Sequence, residues 1–191
     1  MNRPADLTRA ANMAARVLLR GDGRLPVEPL PFLKACRDTR VYSLAAAVDA
    51  LGMPEERLSS LLRDADAITL RMTAGDSFYY IVLYRCDGHP ARLRFTLAHE
   101  LGHRLLGHTG VDPAEEREAD CFASHLLCPE PVLRLFADDA AGAAERIAKA
   151  CYVSYSCARV ALHREPAALP PDRLSALTEH FAPALTALKL L

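Results

Sequence analysis

The stretch RFTLAHELGHRLLGH, residues 94–108, decides how the rest of this chain is read. Ala98, Leu101, Gly102 and Leu105 fall at i, i+3, i+4 and i+7, which predicts an amphipathic helix over 94–106. Gly107 follows as a natural C-terminal stop. His99 and His103 are four residues apart, so they project from one side of that helix a turn apart and both imidazoles can reach one metal ion. Glu100, offset by one position, stands beside such an ion rather than on it. A carboxylate there can take a proton from water that the ion has acidified to a pKa of about 7. The order H-E-x-x-H on a helix is the zinc-peptidase arrangement, with Zn2+ as the expected cofactor and Glu100 as the expected general base.

A catalytic zinc usually takes three protein ligands and keeps an open position. A histidine ten positions after the first ligand is one known solution, but Thr109 stands there. His108, one position earlier, would lie about 180° from His99 if the helix continued. It could coordinate only if the chain turned sharply at Gly107. The next helix offers a better candidate. Asp112-Pro113-Ala114-Glu115 reads as an N-cap, an N1 proline and an acidic third position, opening a helix to about Leu127. Its apolar stripe is Ala119, Phe122, Ala123 and Leu126, and Glu116 projects within that stripe while Glu118 points away toward solvent. A carboxylate aimed at the core must be paired or bind a metal, so the geometry prefers Glu116 as third ligand. Asp120, four residues on, is placed to hydrogen-bond and orient a ligating imidazole.

Upstream of this pair, residues 5–20 are helical in spacing and stop at Gly21, and GDGRLPVEPLP is a connector. A short helix is expected at 32–37, another over 44–51 capped by Ser43 and closed by Gly52, and a third from Pro54 to about Arg63. Ile68, Leu70 and Met72 alternate with polar residues, and Phe78 to Tyr84 is continuously apolar, which predicts a hairpin at about 67–85 whose second strand is covered on both faces. After Arg94 the pattern is helical to the end, with breaks near 107–112, 128–131, 138–142 and 166–171. The expected architecture is α+β, mostly helical with a small antiparallel sheet beside the active-site helix. Its parts are an N-terminal helical segment (1–64), a metallopeptidase core (65–133) and a C-terminal helical segment (134–191), within one compact domain.

The chain of 191 residues is 51% hydrophobic and 25% charged with a formal net charge of −1, so it carries no field that would draw nucleic acid. Its six cysteines include no C-x-x-C pair, and no run approaches the ~20 apolar residues of a membrane span. The N-terminus has no apolar stretch leading to a cleavage site. A reducing, cytoplasmic setting is expected, with no membrane and no direct nucleic-acid partner.

RFTLAHELGHRLLGH followed by EREADCFASHLLCP resembles the ImmA/IrrE family of metallopeptidases, and LPVEP, FYYIVLY and AERIAKACYVSYSCARVALH sit where that family has similar segments. The resemblance implies a zincin-like fold, a zinc site of His99, His103 and Glu116, and Glu100 as general base. It also implies a substrate, a helix-turn-helix repressor of a mobile element or stress regulon, cut at a specific site. A non-catalytic zinc-binding regulator of a repressor or antitoxin is the alternative, against which the intact Glu100 argues. Peptide deformylase also uses H-E-x-x-H, but its upstream cysteine motif is missing around Cys86. Residues 145–159 themselves resemble a helix-turn-helix. Tyr152 stands at the turn where glycine is usual and only Arg159 offers a strong base contact, so a bihelical packing element is expected. Tyr155 and His163 on it are candidates to stabilise an oxyanion, which the sequence leaves open. His89, His125 and His180 read as surface residues.

Overall fold

The structure is a computed structural model that describes residues 3–109, 112–137, 142–164 and 169–189. Helices α1 (Leu7–Leu18) and α2 (Pro29–Lys34) are followed by β1 (Thr39–Ser43), α3 (Leu44–Leu51), α4 (Glu55–Leu62), β2 (Ala67–Ala74) and β3 (Ser77–Tyr84). The remainder is helical: α5 (Pro90–Leu106), α6 (Pro113–Leu127), α7 (Glu130–Phe136), α8 (Ala143–Cys151), α9 (Tyr155–His163), α10 (Pro171–His180) and α11 (Ala182–Lys189). Among the described residues, no helix is long and apolar enough to cross a membrane.

The fold is α+β, as the alternation of patterns predicts, and zincin-like, as the family resemblance implies. The hairpin forms with Ala67 opposite Tyr84 and Ala74 opposite Ser77, joined by Gly75-Asp76 with Gly75 at φ 59°. The sheet is not purely antiparallel, however. Residues 39–43, where no strand is expected from the sequence, form β1, which pairs parallel with β3, Thr39 opposite Tyr80 and Ser43 opposite Tyr84. The order is β1-β3-β2, which puts β3 in the centre and leaves β2 at an edge. The central strand is covered twice over, as its unbroken apolar run requires. Val82 joins the main core with α1, α5 and α6, while Ile81 and Leu83 pack with Ala47, Leu58 and Leu62 of α3 and α4.

Helix α5 starts earlier than its apolar spacing suggests, because His89 caps it through a bond from the Ala91 amide and Pro90 occupies its first position. Three arginines on it tie it to its surroundings. Arg92 pairs with buried Asp66 just before β2, its Nη2 lying 2.6 Å from Oδ1. Buried Arg94 donates to the carbonyls of Val27 at 2.6 Å and Cys151 at 3.0 Å. Arg104 pairs with Asp38, and its Nε donates to Thr39 Oγ1 at 3.2 Å, at the start of β1. Bonds from charged donors at both ends of one helix hold it against the sheet and the C-terminal helices, which fixes where His99 and His103 point. The expected bihelical element is α8–α9: Tyr152 sits between the two helices at φ 50°, and Ser154 caps α9 by accepting from the Cys157 amide at 3.1 Å. The breaks expected near 138–142 and 166–171 lie mostly outside the described residues, as do residues 110 and 111 of the break before α6.

Candidate metal centre

Two helices build the site. On α5 the four-residue spacing brings the rings of His99 and His103 to 4.5 Å between centroids and their Nε2 atoms to 2.8 Å. On α6, Asp112 accepts from the Ala114 amide at 2.9 Å and Pro113 takes the first helical position, so the helix starts where the sequence predicts. Glu116, in its first turn, sets one oxygen 3.3 Å from His99 Nε2 and the other 3.4 Å from His103 Nε2. The two helices can meet this closely because Gly102 has no side chain. A Cβ there would stand 3.1 Å from Phe122 Cδ1 and 3.2 Å from the Ala119 Cα. The glycine of HELGH is therefore a packing residue, and it sets the distance between the histidines and Glu116.

The ring nitrogens facing away from Glu116 are both engaged. His99 Nδ1 lies 2.8 Å from Asp120 Oδ1, and His103 Nδ1 lies 2.9 Å from His108 Nδ1. Each imidazole thus keeps its Nε2 for the point the three side chains share. Burial pushes the His103 pKa down to about 4, helped by the neighbouring His99 and His108, so this ring is neutral at neutral pH. Burial opposes charge on His99 as well, but the Asp120 hydrogen bond and the Asp120, Glu100 and Glu116 carboxylates outweigh it and raise its pKa. One ligand atom from each of His99, His103 and Glu116 lies within 4.8 Å of the others, so the three could hold a metal ion. Two imidazoles and one carboxylate are a donor set that suits zinc. Among the described residues, Glu116 has ion-pair contacts only with these two histidines, so its charge meets no fixed cation.

The cleft over this cluster has a volume of about 490 Å³ and opens along β2, with Ile68, Thr69 and Arg71 on one wall and Glu100 and Thr109 on another. Burial raises the Glu100 pKa, with Thr69 of the edge strand pulling the other way. Glu100 thus lines the cleft beside the cluster without being one of the three candidate ligands. Tyr155 and His163 are not among the residues lining it.

Several expectations are corrected. Glu116 faces the open cleft, its side chain 47% exposed, rather than the core. Glu118 is the carboxylate that points inward: it is fully buried, because α6 packs on α1 as well as on α5 and so has a second covered face. The signal was present, since Ala114, Glu118, Phe122 and His125 fall at i, i+4, i+8 and i+11 and are all buried. His125 is accordingly a core residue, and burial drives its pKa down to about 3. The chain does turn at Gly107, at φ 71°, but this brings His108 beneath His103 and against Glu118 rather than into the ligand set.

Helix-borne imidazoles and a carboxylate from the following helix, set beside the edge of a small sheet, define a zincin-like metallopeptidase scaffold. The chain belongs to the peptidase family described as the IrrE N-terminal-like domain, which it matches over residues 53–163. It is similar to the radiation response metalloprotease IrrE of Deinococcus radiodurans, 32% identical over 164 residues, covering 73% of this chain and 49% of that protein. It is also similar to the radiation response metalloprotease IrrE of Deinococcus deserti, 38% identical over 85 residues, covering 41% of this chain and 30% of that protein. The chain thus matches half or less of the length of these relatives.

Proposed function

We propose that this chain is a zinc-dependent endopeptidase that cuts one protein partner at a defined site. His99, His103 and Glu116 hold the ion, Asp120 orients His99, and Glu100 is the general base. The observation that carries this reading is the convergence of three donor atoms within 4.8 Å at the foot of a cleft that Glu100 also lines. Zinc, when bound there, supplies Lewis acidity that polarises the scissile carbonyl and makes water nucleophilic at neutral pH. Glu100 takes up the proton of the attacking water and delivers it to the leaving nitrogen. A burial-raised pKa suits a group that must both accept and release a proton near neutrality.

The edge strand β2 borders the cleft and offers main-chain groups to which an extended segment can add as a further strand. Such a site takes a linker or a locally unfolded segment and rejects folded proteins in general. The resemblance to ImmA/IrrE peptidases points to a helix-turn-helix repressor as the substrate, in a cytoplasmic setting. Glu100→Gln should retain zinc and fold, because this residue is outside the ligand set. Co-expressed with a neighbouring repressor, wild type should produce one discrete cut, and Glu100→Gln should be slower by at least about 10²–10⁴-fold. Equal cutting by both would show that this cluster is not the catalytic centre. Stable binding without cutting by either would favour a regulator that acts by docking.

A further inference from the structure

We propose that His108 and Glu118 are positioning residues for the metal ligand His103, joined to it in a hydrogen-bonded line that is anchored by the segment preceding α1. The proposal rests on the reading of His103 as a ligand. The line runs from His103 Nδ1 to His108 Nδ1 at 2.9 Å, and from His108 Nε2 to Glu118 Oε2 at 2.9 Å. Glu118 is then held by the Asp6 amide at 2.8 Å on Oε1, by Arg3 Nη1 at 2.5 Å on Oε1 and by Arg3 Nη2 at 3.1 Å on Oε2.

With His108 neutral, a single arrangement of protons satisfies every atom in this line. An ionised carboxylate only accepts, so His108 Nε2 carries the hydrogen and donates to Glu118. The Nδ1 of a neutral His108 is then bare and accepts. His103 Nδ1 must therefore be the donor, which leaves His103 Nε2 with a free lone pair, aimed at the point it shares with His99 Nε2 and Glu116. Glu118 thus selects, across an intervening imidazole, the tautomer of His103 that can bind a metal, and it holds the plane of that ring. Asp120 does the same for His99 directly. The two ligands are supported by unlike means: Asp120 is 60% exposed, whereas Glu118 is fully buried and His108 is 8% exposed at the cleft wall, so water competes less for the longer line. Partners of this kind behind a ligating imidazole are typically worth 10–100-fold in metal affinity.

Zinc alone, titrated into the metal-free chain in competition with a chromophoric chelator, tests this. The dissociation constant should rise about 10–100-fold in His108→Leu. It should recover most of the way in His108→Gln, whose amide can still accept from His103 and donate to Glu118. Glu118→Gln should weaken binding about tenfold, and His125→Leu, a buried change elsewhere on α6, should leave it alone. Cobalt(II) gives a second readout, since its visible spectrum should shift in His108→Leu and Glu118→Gln but not in His125→Leu. Should the leucine variant not fold, His108→Gln and Glu118→Gln carry the test through their spectra. Wild-type affinity and spectrum in both folded His108→Leu and Glu118→Gln would overturn the proposal. His103→Ala binding as wild type does would overturn the ligand reading first, and the proposal with it.

Discussion

Glu116 and Glu118 stand two residues apart on one helix and have opposite surroundings. Glu116 is half-exposed, faces a cleft and has two imidazoles for neighbours. Glu118 is out of water and accepts four hydrogen bonds, from Arg3 twice, from the Asp6 amide and from His108. Those partners hold its pKa down at about 2 although burial alone would raise it. The difference teaches that a carboxylate's role follows from what already satisfies it. Glu118 has no capacity left for an ion and serves packing and orientation. Glu116 has spare acceptor capacity beside the Nε2 atoms of two imidazoles, an arrangement that could hold a metal ion.

Breaking the two sides separately should give inverse results. Glu118→Ala leaves Arg3, the Asp6 amide and His108 without their acceptor. It should cost about 3 kcal/mol in the metal-free protein, since uncoupling a buried ionic group usually costs 3–5 and Arg3 is partly exposed. Glu116→Ala should cost less than about 0.5 kcal/mol in the same urea titration, because the side chain is half-exposed. Equal losses would erase the contrast. Gly102→Ala sharpens it from the packing side. The added methyl meets Ala119 and Phe122 at 3.1–3.2 Å, so α6 must shift, at about 2 kcal/mol, with Glu116 carried away from the histidines and zinc affinity lowered. A wild-type zinc affinity in a destabilised Gly102→Ala would show that the helix spacing does not set the site.

The smallest effect concerns His125, buried on the Glu118 side. Its folded pKa of about 3 lies below the unfolded value of about 6.5, so the unfolded chain binds the proton first. Stability should therefore fall as pH drops below about 6.5 and keep falling toward about 3. One such group removes about 1.4 kcal/mol between pH 7.5 and 5.5. Denaturation of His125→Leu across that range should lack this component, whatever its stability at pH 7.5; an unchanged slope would mean that His125 titrates in the fold as it does in the unfolded chain.

What was legible in the sequence is what short-range rules decide. The spacing of HELGH, the Asp112-Pro113 start of α6, the Gly75-Asp76 turn and the doubly covered β3 each follow from a few adjacent residues. Strand β1 escaped because TRVYS is short and becomes a strand only by pairing parallel with residues some forty positions later. The burial of Glu118 and His125 escaped because the stripe used to orient α6 described its contact with α5 alone, while α1 covers a second face. The stop at Gly107 is as expected, but where the turned chain then sets the His108 ring does not follow from helical spacing. The sequence points to Glu116 as a core-facing carboxylate in need of a cation, whereas in the structure Glu116 is exposed to a cleft that holds two other donors.

The most direct test of the central assignment is zinc content per chain, measured by atomic emission after exhaustive dialysis, in wild type and in Glu116→Ala. One zinc per wild-type chain and almost none in a folded Glu116→Ala is the predicted result. Full zinc retention in Glu116→Ala would contradict it, and would move the third ligand elsewhere in the cleft.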